Sequence, residues 1–205
     1  MKIEKLSLGA LQTNCYIISK DNHSLIIDPS AESTVIEKKL KEQQTKPLAI
    51  LLTHAHFDHI GALEDIREKY QIPVYIQSEE QDWLIDPNLN GSSKFGFPKI
   101  TCKKAENELM EKNYSIGPFH FYCRFVPGHS PGSVAFIFEK EEVVFAGDCL
   151  FKEGIGRTDL HGGSFDQIYD SIHNQLFTLP NQYTVFPGHG MSTTIGHEKV
   201  SNPFV

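Results

Sequence analysis

The sequence predicts a layered α/β fold, built as one domain over residues 1–205 from strands that alternate with helices. Three observations predict it. Short apolar runs bounded by turn formers recur along the chain, and stretches with apolar residues at three- and four-residue spacing lie between several of them. A length of 205 residues with 40% apolar content is enough to bury one substantial core. No linker, low-complexity tract or short repeat interrupts the pattern.

The elements follow in order. Residues 3–8 and 15–19 read as short strands with LQTN turning between them, and SLIIDPS reads as a buried strand ending at Asp28-Pro29. In STVIEKKLKEQQ, Ser33 is a candidate N-cap, and Val35, Ile36 and Leu40 line one helix face. PLAILLTH returns to strand. GALEDIREKY is helical, with Ala62, Leu63, Ile66 and Tyr70 on one side, and PVYIQ is a further strand. Residues 79–112 lack a sustained period and read as a loop, either functional or a plain surface excursion. YSIGPFHFYCRFV is strand, and SVAFIFEKEEVVFAG is a hairpin turning at residues 139–142. FDQIYDSIHNQLFTL predicts a last helix, with Phe165, Ile168, Tyr169, Ile172 and Leu176 along one side, and YTVFPGHG closes with a strand entering a loop.

Charged residues at 22% and aromatics at 11% are ordinary for a globular chain. A net charge of −7 argues against nucleic acid as a partner, because phosphate binding needs a basic surface. Cys15, Cys102, Cys123 and Cys149 form no CxxC pair, and MKIEKLSLGA does not read as a secretory leader. No apolar run approaches the ~20 residues of a membrane span. The expectation is a cytoplasmic protein with reduced thiols and no membrane partner.

One stretch carries chemistry: LLTHAHFDHIGAL. His54, His56, Asp58 and His59 follow an apolar strand and precede a helix. On such a loop residues two apart can point the same way, so His54 and His56 can reach one metal ion, while Asp58 and His59 can serve a second. Imidazole and carboxylate suit zinc and also accommodate iron or manganese. A lone histidine here would read as a solvated polar residue. HxHxDH after an apolar strand does not. Three further loops repeat the arrangement, each with a glycine beside a ligand-type residue just past an apolar strand: VPGHSPGS with His129, VVFAGDCLF with Asp148, and TVFPGHG with His189.

HxHxDH, PGHSPGS, GDxLF and PGHG, in this order, resemble the metallo-β-lactamase superfamily. GIGRTDLHGGSFDQIYDSI and GHGMSTTIGHEKVSNPFV are similar to the short bacterial form of the glyoxalase II (hydroxyacylglutathione hydrolase) group. The resemblance implies an α+β architecture, an αββα sandwich of two β-sheets between helices. It also implies two divalent metal ions, zinc first and iron or manganese as alternatives. His54, His56 and His129 would bind one, Asp58, His59 and His189 the other, and Asp148 would bridge them. Asp58 would additionally orient the shared hydroxide. The enzymes called true β-lactamases often carry a cysteine where Asp148 stands, so lactam hydrolysis is not the expectation, and Cys149 is expected to be a packed thiol. A counterpart of the C-terminal helical domain that holds glutathione in the long form is not expected here. Arg157, in GIGRTD, matches a basic position that contacts the glutathione carboxylate in that form; the alternative is a salt bridge to Asp159 or Asp166. Trp83, Phe95 and Phe97 are candidates for a substrate wall or for core.

The expected substrate is a small acyl thioester, S-D-lactoylglutathione or a related acyl-thiol. A thiolate leaves without a dedicated acid, since a free thiol has a pKa near about 8.5. GHSPGS lacks the spacing of a nucleophile elbow. A persulfide dioxygenase with a single iron is the nearest alternative, and a lactonase or a non-catalytic binding module stand behind it. His23, His120, His161, His173 and His197 fit no ligand pattern, and of these His161 is the one to examine for closeness to the site.

Overall fold

The computed structural model describes residues 1–96 and 98–205, so Phe97 lies outside the described residues. The chain forms two compact units, Met1–Leu109 with Ser115–Phe119, and Met110–Tyr114 with His120–Val205.

In the first unit, β1 (Lys2–Leu8), β2 (Thr13–Lys20), β3 (His23–Ile27), β4 (Lys46–Leu51), β5 (Val74–Gln77) and β6 (Asn107–Leu109) pair in that order. The first three run antiparallel and the last three join in parallel. Parallel pairing needs crossover connections. These are supplied by α1 (Ser33–Gln43), α2 (Leu63–Tyr70) and α3 (Gln81–Ile85). Ile36 and Leu40 of α1 and Leu63 and Ile66 of α2 enter one apolar cluster with Ile17, Ile26 and Ile50 of the strands. Val35 faces outward instead. Ser33 is the first helical residue rather than the cap; Glu32 holds the cap position at φ 52°, and the Ser33 hydroxyl donates to Asp65 Oδ2 at 2.8 Å. Within residues 79–112 the structure places α3 and β6, both too short to show a period in the sequence.

The second six-stranded sheet runs in the order β14 (Thr193–Thr194), β13 (Thr184–Pro187), β10 (Val143–Gly147), β9 (Val134–Phe138), β8 (Phe119–Phe125), β7 (Lys112–Ile116). The hairpin expected at residues 139–142 is there, with Val143 opposite Phe138. VAFIF and VVFAG are buried throughout, the pattern of strands covered on both faces. The parallel step from β10 to β13 is bridged by α4 (Phe165–Ser171), which runs on through a π turn at Ile172–Leu176. Ile168, Ile172 and Leu176 pack on Ala135, Ile137, Val144 and Val185. Phe165 and Tyr169 are exposed, so the predicted face divides: i, i+4, i+8 goes to the core and the rest to the rim. A small hairpin of β11 (Leu150–Phe151) and β12 (Gly154–Ile155) follows Asp148, and α5 (Ile195–Ser201), absent from the sequence reading, adds Ile195 to the same cluster. No helix among the described residues is long and apolar enough to cross a membrane.

Candidate metal centre

The first unit gathers its ligand-type residues beyond the C-terminal ends of β3 and β4, where open parallel sheets hold their sites. Ligand atoms of His54 and His56, of His54 and His59, and of Asp58 and His59 lie within 4.8 Å of one another. The rings of His54 and His56 meet edge to face at 4.9 Å, and those of His54 and His59 lie 4.1 Å apart. All three imidazoles are buried, and Asp58 is half-buried. Asp58 and His59 sit in a 3-10 turn, Phe57–His59, rather than on α2 itself, which begins at Leu63.

One side chain orients two of the three histidines. Asp28, left-handed at φ 49°, as a short polar residue tolerates, accepts from the Thr53 amide at 2.8 Å and from the Thr53 hydroxyl at 2.6 Å. It also accepts from His59 Nδ1 at 2.9 Å. Since the Thr53 hydroxyl proton goes to Asp28, its oxygen accepts from His54 Nδ1 at 3.0 Å. Both rings therefore carry their proton on Nδ1 and present the Nε2 lone pair, the tautomer a metal requires. Asp58 Oδ2 accepts from the Thr13 hydroxyl at 2.7 Å, and buried Glu80 accepts from the Ala55 amide between the two histidines of HxH. A Cβ on Gly61 would collide with the Ser30 carbonyl, so only glycine lets the chain pass this turn.

In the second unit the ligand types come from three separate loops. His129 follows β8, Asp148 follows β10 and His189 follows β13. Asp148 Oδ2 stands 3.5 Å from His129 Nε2 and 3.4 Å from His189 Nε2. His129 Nδ1 lies 2.7 Å from the Arg157 carbonyl oxygen, which can only accept, so Nε2 again carries the lone pair. Close packing holds these loops. A Cβ on Gly156 would strike the Asp148 carbonyl and approach His129 Nδ1 to 3.0 Å, and one on Gly128 would strike the Ile168 backbone.

The Arg157 guanidinium grips Asp159 through two bonds, at 2.7 and 2.8 Å, and so holds the Asp159 carboxyl down to about 2. Asp159 rather than Asp166 is its salt-bridge partner. Trp83 is buried against His56, with ring centroids 5.3 Å apart, whereas Phe95 is exposed and stacks on Phe57 at 6.1 Å. Cys149 packs in the apolar core of its unit, and all four cysteines are buried thiols. Burial pushes Cys102 and Cys123 up to about 12 and raises Cys15 and Cys149 further. His161 is exposed, and His197 bonds to Glu153 at 2.9 Å.

The donor set fits divalent ions that accept imidazole and carboxylate, zinc, iron or manganese among them. For His54, His59 and His129 the Nδ1 partners leave the Nε2 lone pair available to such an ion. Sequence reasoning found the ligand types but missed Asp28, Thr13, Thr53 and Glu80. For Asp28 a signal existed: an acidic residue ending an apolar strand directly before proline.

Residues 8–189 match the profile of the Metallo-beta-lactamase superfamily. The chain is 46% identical to the Bacillus subtilis protein named probable metallo-hydrolase YqgX, across all of this chain and 98% of that one. It is 33% identical to the Haemophilus influenzae hydroxyacylglutathione hydrolase GloC, again across all of this chain and 98% of the other. Among solved structures, BLEG-1 B3 metallo-β-lactamase superposes with a TM-score of 0.96 at 46% identity, covering 99% of each chain. TTHA1623, in a di-iron-bound form, superposes at 0.89 with 36% identity over 98% of this chain and 100% of its own. The α+β class expected from the motifs, with two mixed β-sheets and flanking helices, agrees with these superpositions. On this match the chain belongs to the metallo-β-lactamase superfamily, with the metallo-β-lactamase fold.

Proposed function

We propose that the chain is a binuclear metal-dependent hydrolase of acyl thioesters, with S-D-lactoylglutathione or a related acyl-thiol as substrate. In this reading His54, His56 and His129 would hold one ion, Asp58, His59 and His189 the other, and Asp148 would serve both. The observation that carries it is the preset tautomer: His54, His59 and His129 each spend Nδ1–H on a fixed acceptor. That common arrangement turns Nε2 of all three rings into a candidate metal donor. The full-length likeness to the hydrolase GloC supports the thioester as substrate class.

Bound divalent ions supply a Lewis acid for the carbonyl oxygen and lower the pKa of water from about 15.7 to about 7. The chain's own residues do the rest. Asp58, which accepts from the Thr13 hydroxyl, would accept a hydrogen bond from the attacking water. Asp28 and the Arg157 carbonyl keep the imidazoles from turning. Arg157 would anchor a substrate carboxylate by exchanging it for Asp159, since both groups suit the same guanidinium fork. Four buried thiols and a net charge of −7 support a cytoplasmic enzyme of small molecules rather than of nucleic acid.

A second reading rests on the 46% identity to BLEG-1, described as a B3 metallo-β-lactamase: hydrolysis of a β-lactam ring. Protein of known metal content, given S-D-lactoylglutathione and a chromogenic cephalosporin in parallel, separates the two. Fast glutathione release with about two ions per chain is the expected result. Cephalosporin cleavage alone would transfer the assignment to the lactamase. One iron per chain, with oxygen uptake on glutathione persulfide, would transfer it to the dioxygenase.

A further inference from the structure

The first unit contains a cavity of about 330 Å³ whose floor includes Asp58 and Thr13. That volume falls at the lower end of small-ligand pockets, about 300–1,000 Å³. Its walls are mostly apolar: Leu8, Ala10 and Leu11 from the β1–β2 turn on one side, Phe57, Pro98 and Ile100 on the other. Leu11, 44% exposed, is one of the apolar side chains that line it. No lysine, arginine or histidine is among the described residues that line it.

Its charged groups are two carboxylates, both already engaged. Asp58 accepts from Thr13, and Glu32 accepts from the Gly9 amide at 2.9 Å, pinning the β1–β2 turn that forms one wall. With mostly apolar walls and its two carboxylates already engaged, the described lining offers no side-chain cation to pair with an anionic substrate fragment. Glutathione, which carries carboxylates of its own, does not suit it. A neutral apolar chain does.

We propose that this cavity is the acyl-binding subsite, and that the preferred substrates are thioesters of neutral, apolar acyl groups longer than lactoyl. The proposal rests on the thioester hydrolase reading above. The scissile carbonyl would lie toward Asp58, with the acyl chain along Leu8, Leu11, Phe57 and Ile100 and the thiol carrier outside the cavity.

The test uses metal-loaded full-length protein and an N-acetylcysteamine thioester series: acetyl, lactoyl, butanoyl, hexanoyl and octanoyl. The expected kcat/KM rises about fourfold per buried methylene until the cavity is filled. Leu11→Glu, at an exposed position, should then lower the hexanoyl-to-acetyl ratio at least tenfold. Calorimetric titration with the hydrolysis-resistant amide analogues of the same series provides a second readout. A kcat/KM that is flat or falls with chain length, in an enzyme that does cleave acetyl thioester, overturns the subsite and leaves the hydrolase intact. If no thioester is cleaved, the hydrolase reading fails by itself. Amide affinity that still increases with chain length and drops in Leu11→Glu would keep the cavity as an apolar binding site. Amide affinity independent of length would remove it.

Discussion

The two donor groups solve the same orientation problem by different means. In the first unit four ligand types lie within one hexapeptide, residues 54–59, and a single carboxylate, Asp28, sets the tautomers of two of them. In the second, three ligand-type residues are spread from His129 to His189, with His129 held by the Arg157 carbonyl and with Gly128 and Gly156 pressed against the Ile168 backbone and the Asp148 carbonyl. A cluster dense in sequence needs a side chain to sort its rings. A dispersed one is sorted by the strand ends it hangs from. The first should therefore be fragile to changes of charge and the second to changes of volume.

The largest effect is expected at Asp148, the carboxylate that the proposed scheme assigns to both ions. Asp148→Ala should reduce turnover by more than about 10²-fold, beyond what outer partners of metal ligands cost, with an unchanged circular dichroism spectrum. Near-normal activity would break the binuclear scheme. Asp28→Asn probes the first group. Whichever way the amide turns, one donor faces another, and metal affinity should drop about 10- to 100-fold in a chelator competition. Gly156→Ala is its counterpart in the second group. Forcing a methyl onto the Asp148 carbonyl should cost about 1–3 kcal/mol in urea unfolding, and more metal should be lost than stability alone explains.

The thiols test both units together, two in each: Cys15 and Cys102, Cys123 and Cys149. Their folded pKa values are raised, so the folded chain holds protons that the unfolded chain gives up from about pH 9. Stability is full below that point and declines as pH rises toward about 12, by up to about 1.4 kcal/mol per pH unit for each thiol. Urea midpoints at pH 8 and pH 10 check it, and replacing Cys123 with serine should reduce the slope. Arg157→Ala should have the smallest effect. Its carbonyl still orients His129, so metal content should stay constant while KM rises a few-fold at constant kcat. An unchanged KM would leave the guanidinium as a partner for Asp159 alone.

Legibility in the sequence followed the distance between partners. HxHxDH was readable because its members are neighbours, and the three Gly-bearing loops because each repeats one local pattern. Asp28 was passed over as a strand end, since its importance lies in bonds to Thr53 and His59, 25 and 31 residues away. Thr13 sits 45 residues from Asp58. The short elements α3, β6 and α5 left no period to detect, because tertiary packing rather than repeated pattern stabilises them. Phe165 and Tyr169 had the spacing of a buried face, but Ile168, Ile172 and Leu176 already filled it.

Trp83 is the chain's sole tryptophan, and its indole rests against His56. An excited indole responds to the polarity and charge of an adjacent imidazole, so its emission should change when that ring takes up a cation. With no second tryptophan to dilute the signal, filling of the site can be followed by intrinsic fluorescence, without a dye or a label. Such a titration would read metal occupancy in every variant named above before any substrate is added.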